Sequence, residues 1–271
     1  MSEPRSETIS INDARIYVEQ AGSGQPVVLL HAGIADSRMW DAQFEAFSAD
    51  FHVVCYDMRG FGQSTMPPGE YAHVDDLAAL LDHLNIARPI LVGASQGGRV
   101  ALEFALQYPE RLAALVLSAP GLRGYDFSDM VAQYAEANDA AAEAGDIDRA
   151  VELDMRMWVD GPRRRVENVD PVFRERAYRL ARHVYHTNNM DSQERRLAFS
   201  MVDHLSRIAI PALVLVGEYE VPDFINIAGM VAFALENARK VMIAGAAHLL
   251  PMELPDEFNR HVLAFLKEVT P

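Results

Sequence analysis

One serine in the chain has the setting that nucleophilic catalysis needs. Ser95 stands in Gly93-Ala94-Ser95-Gln96-Gly97, between the apolar run Ile90-Leu91-Val92 and a stretch, Val100 to Leu106, whose apolar residues recur at helical spacing. A G-x-S-x-G turn between strand and helix holds the serine at an apex on the carboxyl edge of a sheet, at the positive end of the helix. Gly93 and Gly97 leave room for the crowded backbone, and Gly98 lets helix and strand pack closely. Backbone N–H groups at such a turn can receive an oxyanion, so the chemistry implied is acyl transfer. The same five residues also read as a plain flexible turn; the flanking strand and helix, and the partners described next, favour the catalytic reading.

A serine hydroxyl is a weak nucleophile at neutral pH. It needs a base, and the base needs an orienting acid. Among nine histidines, His248 follows the last expected strand by a short loop of small residues, Ala244-Gly245-Ala246-Ala247, and can reach back over the sheet edge. His31 also ends a strand, but reads as a structural hydrogen-bonding residue. The acid belongs after the preceding strand, where Glu218, Glu220 and Asp223 supply three carboxylates. Serine, then acid, then histidine is the order expected of a nucleophile elbow.

The elements that must hold these groups are legible from periodicity. Ile9, Ile11, Ile16 and Val18 around Asn12-Asp13 suggest an antiparallel hairpin at a sheet edge. Pro26 to Leu30, His52 to Tyr56, Ile90 to Val92 and Leu112 to Leu117 are hydrophobic runs of the kind buried on both faces. Helical patterns separate them: one through Trp40, Phe44 and Phe47 with Asp36 and Ser37 as caps, and one over 72–84 with His73 and His83 on solvated or half-buried faces. This βαβ succession demands a parallel sheet. Asp57 and Arg59, in the glycine-rich turn Asp57 to Ser64, read as an ion-paired structural turn rather than as catalytic groups.

From about 121 to 207 strand runs give way to helical stretches, near 126–144, 146–158, 170–187 and 192–206, broken at Gly145, Gly161-Pro162 and Asn188-Asn189. Strands return at Ala212 to Val216 and Lys240 to Ile243, with helices near 223–235 and 256–268. A helical block between two parallel strands is best explained as a cap over the carboxyl edge of the sheet. That gives a core domain of residues 1–120 and 208–271 and a lid of 121–207. Within the lid, Arg163-Arg164-Arg165 reads as a solvated turn more readily than as a grip on an anionic substrate. Met155, Met157, Trp158, Phe173, Tyr178 and Tyr185 could line an acyl pocket, though most such residues at helical spacing are core. His183 and His186 lack the company that a metal site needs.

Composition narrows the function classes. With 271 residues, half of them hydrophobic, the chain can bury a large core. A formal charge of −15 repels phosphate backbones and anionic lipid, so neither nucleic acid nor membrane is an expected partner. The N-terminal residues lack a signal-peptide pattern and no apolar run is long enough to span a bilayer, which suggests a cytoplasmic protein. Cys55, the single cysteine, lies in an apolar run and reads as core.

Taken together the residues resemble the α/β-hydrolase superfamily over nearly the whole chain, and most of all its capped esterase, lactonase and carbon–carbon hydrolase branch. His31-Ala32-Gly33 looks like the oxyanion loop, Asp57 to Ser64 like the D-x-R-G-x-G-x-S turn, and Gly93 to Gly97 like the elbow. The resemblance implies an α/β fold with a mostly parallel eight-stranded sheet, flanking helices and an inserted helical cap. It places the acid three residues after the glycine that ends its strand, at Glu220, where aspartate is commoner; Asp223 is the alternative. Ser95, Glu220 and His248 would then form the triad, with the N–H groups of Gly33 and Gln96 as the oxyanion hole. The expectation is a carboxylesterase-like hydrolase of a small-molecule ester, with no metal or organic cofactor and a homodimer left open. Lactone or carbon–carbon hydrolysis is the second reading, and a ligand-binding protein with a vestigial triad the third.

Overall fold

The structure is a computed structural model that describes residues 4–187, 192–195 and 199–270. The chain opens with β1 (Arg5–Ile11) and β2 (Ala14–Ala21), an antiparallel hairpin whose turn puts Asn12 at φ 51°. Then follow β3 (Pro26–Leu30), α1 (Asp41–Phe47), β4 (His52–Tyr56), β5 (Gly69–Tyr71), α2 (His73–His83), β6 (Ile90–Ala94), α3 (Gln96–Gln107) and β7 (Ala114–Ser118). The segment before the next long strand carries α4 (Asp129–Glu143), α5 (Ile147–Asp154), a π-helical turn (Met155–Asp160), α6 (Pro171–Thr187) and β8 (Ser192–Glu194). The chain closes with β9 (Ala212–Gly217), α7 (Pro222–Ala234), β10 (Ala238–Ile243), the short α8 (Leu250–Glu253) and α9 (Pro255–Val269).

Eight strands form one sheet in the order β1-β2-β4-β3-β6-β7-β9-β10, parallel from β4 onward. The central strands are apolar throughout because each faces helices on both sides, and the period of two divides their side chains between two cores. Val28, Leu30, Leu91, Leu115, Leu117, Val214 and Val216 pack with α2, α3 and α7. Val27, Leu29, Val92, Val116, Leu213 and Leu215 pack on the other face with Phe47 of α1, Phe258 and Val262 of α9, and Met155 and Leu180 from the helical segment. The parallel register Val92↔Val116, Leu117↔Val214 and Gly217↔Ile243 brings the carboxyl ends of β6, β7, β9 and β10 to one edge.

Three local expectations are corrected. The helix expected over 192–206 is replaced by β8, which pairs in parallel with β5, and by a 3₁₀ segment at Val202–Arg207. Glu194 is drawn to Arg99 and Arg123, and the N–H of Arg195 to the carbonyl of Tyr71 at 2.7 Å, so tertiary partners override a helical pattern. The helix expected over 146–158 leaves α-geometry after Asp154. His73 is buried, not half-solvated. The expected break at Asn188-Asn189 lies outside the described residues.

Candidate active site

Ser95 takes φ 51° and ψ −110°, a conformation costly for any residue but glycine, because the chain must turn from β6 into α3 with no loop between them. The surroundings over-determine it. Ser95 N–H donates to Ser118 O at 2.9 Å, Ser95 O accepts from Gly121 N–H at 2.9 Å, and Gly97 N–H donates to His31 O at 3.0 Å. A Cβ at Gly97 would lie 2.2 Å from Leu30 O and one at Gly93 2.4 Å from Gly97 O, which is why both flanking positions are glycine.

His248 and Glu220 meet at the same edge. Nδ1 of His248 lies 2.7 Å from Oε2 of Glu220, and Oε1 of Glu220 accepts from Val221 N–H at 2.7 Å. Glu220 is 0% and His248 3% exposed, so the pair is shielded from water. Asp223 is turned away: its two oxygens accept from the backbone N–H and the hydroxyl of Ser128, each at 2.7 Å, tying the first turn of α7 to the start of α4. Of the three sequence carboxylates, then, Glu220 alone pairs with the histidine; Glu218 accepts from Gly245 N–H at 2.9 Å. Among the described residues Ser95 Oγ makes no hydrogen bond to His248; in ligand-free serine sites that bond is often long.

Gly33 and Gln96 adjoin each other, for a Cβ at Gly33 would lie 2.7 Å from Oε1 of Gln96. Neither N–H is engaged by another group among the described residues. The Gln96 amide is steadied by His73, 3.2 Å from its Nε2. Burial pushes His73 down to about 3, and lowers His31 as well, so both imidazoles are neutral. His31 has the structural role expected of it: its Nε2 accepts from Met58 N–H at 2.9 Å, leaving Nδ1–H for Ala32 O at 2.9 Å. Asp57 accepts from Ser37 and Gln63 N–H at 2.8 and 2.7 Å, and Arg59 pairs with Asp76 at 2.7 Å and with Asp13 at 2.6 Å. These groups hold the turns beside the His31–Gly33 loop, with Arg59 paired to Asp76 and Asp13 where the sequence suggests a pair with Asp57.

The helical segment also reaches the site. The Trp158 ring packs against the His248 imidazole at 4.8 Å with the planes inclined by 42°, and Phe224 meets the same imidazole edge-on at 4.8 Å. Arg163 and Arg165 are exposed, as expected of a solvated turn, though Arg163 donates to the carbonyl of Glu218; Arg164 departs from that expectation, being buried and donating to the carbonyl of Gly245 in the loop that carries His248. Met155, Met157 and Phe173 are core. Tyr185, with Gly33, Ile34, Asn138, Ile147 and Asp154, lines a cavity of about 690 Å³ beside the His31–Gly33 loop. Asp154 accepts from the hydroxyls of Tyr134 and, at 2.7 Å, Tyr185. Burial raises its pKa, and burial beside that carboxylate raises both tyrosines. Trp158 is among the residues that could line an acyl pocket, but its contact with His248 leaves no signal in the sequence.

Residues 25–255 match the α/β hydrolase fold family. The chain belongs to that family. It is 27% identical to a protein provisionally named carbamate hydrolase RutD from Azorhizobium caulinodans, over 95% of this chain and 97% of that one. Among solved structures it is similar to a thermophilic esterase from Thermogutta terrifontis, at a TM-score of 0.80 with 25% identity over 98% of this chain and 100% of that one. It is also similar to Est816, described as an N-acyl homoserine lactone degrading enzyme, at a TM-score of 0.77 with 25% identity over 96% and 100% of the two chains. The protein is therefore a hydrolase with the α/β-hydrolase fold, as its motifs imply. Among the described residues no helix is long and apolar enough to cross a membrane.

Proposed function

We propose that the protein is a serine hydrolase of small carboxylic esters, with Ser95 as nucleophile, His248 as base and Glu220 as orienting acid. The observation that carries this reading is the buried 2.7 Å contact between His248 Nδ1 and Glu220 Oε2, at the sheet edge where Ser95 is held at φ 51°. The carboxylate keeps the proton on Nδ1, so the Nε2 lone pair is available to take the hydroxyl proton as Ser95 attacks the carbonyl. Gly33 and Gln96 N–H groups receive the oxyanion. His248 then protonates the departing alcohol, and the ester bond is exchanged for an acyl-serine. Water, deprotonated by the same histidine, cleaves the acyl-serine to the free acid and restores Ser95.

In this reading residues 121–207 act as the cap, and the cavity beside Gly33 receives part of the substrate. A lactone is the second reading, favoured by the likeness to Est816, because ring opening needs the same groups and differs only in keeping acid and alcohol in one product. Short p-nitrophenyl esters assayed beside acyl homoserine lactones and a dienoic diketone test the proposal, with labelling of Ser95 by a fluorophosphonate as the direct readout. Hydrolysis of the esters with labelling at Ser95 is expected. Turnover without labelling overturns the nucleophile assignment.

A further inference from the structure

The turn from Trp158 to Arg164 makes contacts that the acyl chemistry does not itself require. His248 rides on a loop of small residues, Ala244 to Ala247, that has little side-chain bulk to wedge it in place. A Cβ at Gly245 would meet nothing within 4 Å. A general base must nonetheless be held to within about 0.5 Å and 10–20° of its working position. In this protein much of that restraint comes from the helical segment.

Trp158 O accepts from His248 N–H at 3.2 Å while the indole covers the imidazole, so one residue holds both the backbone and the ring of the base. Its indole Nε1–H donates to Tyr134 OH at 2.7 Å, which fixes the indole in turn. Arg164 extends the restraint. Its Nε donates to Asp160 O at 2.9 Å and its Nη2 to Val159 O at 3.0 Å, capping the end of the π-turn. Its Nη1 donates to Gly245 O at 2.8 Å and pairs with Glu253 Oε1 at 2.6 Å, while Glu253 Oε2 accepts from Ala247 N–H at 2.8 Å. A single guanidinium, 5% exposed, thus ties the π-turn to two residues of the histidine loop. Arg163 reaches the other loop, donating to Glu218 O and, at 3.4 Å, to Glu220 O. Between them Gly161, at φ 80°, sits so close that a Cβ there would lie 2.5 Å from Tyr219 O and 3.3 Å from Ala247 Cβ.

The geometry points to the 158–164 turn as a positioning clamp for the His248–Glu220 pair: Trp158 sets the imidazole plane, and Arg164 sets the loop that carries it. The clamp rests on the serine-hydrolase reading above. It makes the seating of the cap a condition of base catalysis as well as of substrate access. A lysine could not substitute for Arg164, because four acceptors around one planar fork need guanidinium geometry.

The test is kinetic. For a p-nitrophenyl ester, Arg164→Ala is expected to lower kcat by about 30-fold or more with KM within about threefold, a split that marks loss of transition-state alignment. Guanidinium ion at about 50 mM should recover about tenfold of that loss where the same concentration of sodium chloride does not, because only the planar donor set refills the gap. Trp158→Leu should lower kcat by about tenfold, and Trp158→Phe, which keeps a ring on the imidazole, should stay within about threefold of wild type. The proposal is overturned by wild-type kcat in Arg164→Ala, or by a loss there that guanidinium leaves untouched. If Arg164→Ala does not fold, the Trp158 pair decides, and equal kcat in the Leu and Phe variants overturns the clamp. Failure of wild-type Ser95 to label with a fluorophosphonate would instead defeat the serine-hydrolase reading.

Discussion

Replacing Glu220 by glutamine exchanges one oxygen for an amide nitrogen inside a fully buried pair, and the structure dictates which way the amide must turn. Val221 N–H is a donor pointing at Oε1 from 2.7 Å, so the amide oxygen takes that place and the NH₂ faces Nδ1 of His248. Nδ1 must then accept, which moves the ring proton to Nε2, the atom that has to receive the proton of Ser95. The buried imidazolium formed in the reaction also loses its counter-charge. Together these effects lower kcat by about 10⁴, equivalent to about 5.5 kcal/mol of barrier. Shape and hydrogen-bond count are preserved, so thermal unfolding should shift by no more than about 1 kcal/mol. The companion Asp223→Asn variant weakens the tie to Ser128, lowering stability by about 1 kcal/mol with kcat within about threefold of wild type. Stopped or steady-state assays on a p-nitrophenyl ester, with circular dichroism melts, measure both. A Glu220→Gln enzyme within about tenfold of wild type, or a larger kcat loss in Asp223→Asn, would refute the assignment of the acid.

Ser95→Ala should abolish turnover and leave stability within about 0.5 kcal/mol, because a small residue is equally tolerated at the elbow; residual activity within about tenfold of wild type sinks the nucleophile. Residues 121–207, proposed above as the cap, should open more readily than the sheet, since α4 has no buried residue and is held by Tyr134, Asn138 and the Asp223–Ser128 contact. Hydrogen exchange should show residues 126–160 less protected than 90–107, and equal protection would count against a mobile cap. Acid should destabilise the fold through His73 and His31, whose folded-state values are depressed. Below the unfolded value of about 6.5 the unfolded chain takes up protons that the folded chain refuses, so stability falls with pH by about 1.4 kcal/mol per unit for each such histidine. For His73 the loss continues down to about 3. Melts of His73→Gln between pH 7 and 4 should have a shallower slope, and an unchanged slope would contradict the buried neutral imidazole.

The local pattern of the chain determined the fold class, the hairpin at Asn12-Asp13, the central strands and the elbow at Ser95, because each of these is a short-range matter of hydrophobic period and turn geometry. It also placed His248 and the carboxylates after adjacent strands. Spacing alone offered both Glu220 and Asp223, since both follow β9 within a few residues, and the family resemblance favoured Glu220; that Glu220 faces His248 while Asp223 turns to Ser128, which arrives from 95 positions away, is a matter of tertiary structure. The failed helix over 192–206 has the same cause, for Glu194 answers to Arg99 and Arg123 rather than to its neighbours in the chain. Arg163-Arg164-Arg165 is charged and borders Pro162, which by composition alone is a solvated turn. Only the tertiary packing of the helical segment against the loops after β9 and β10 buries Arg164 and lays Trp158 on His248, because hydrogen bonds to backbone carbonyls leave no trace in the identity of the residues that accept them.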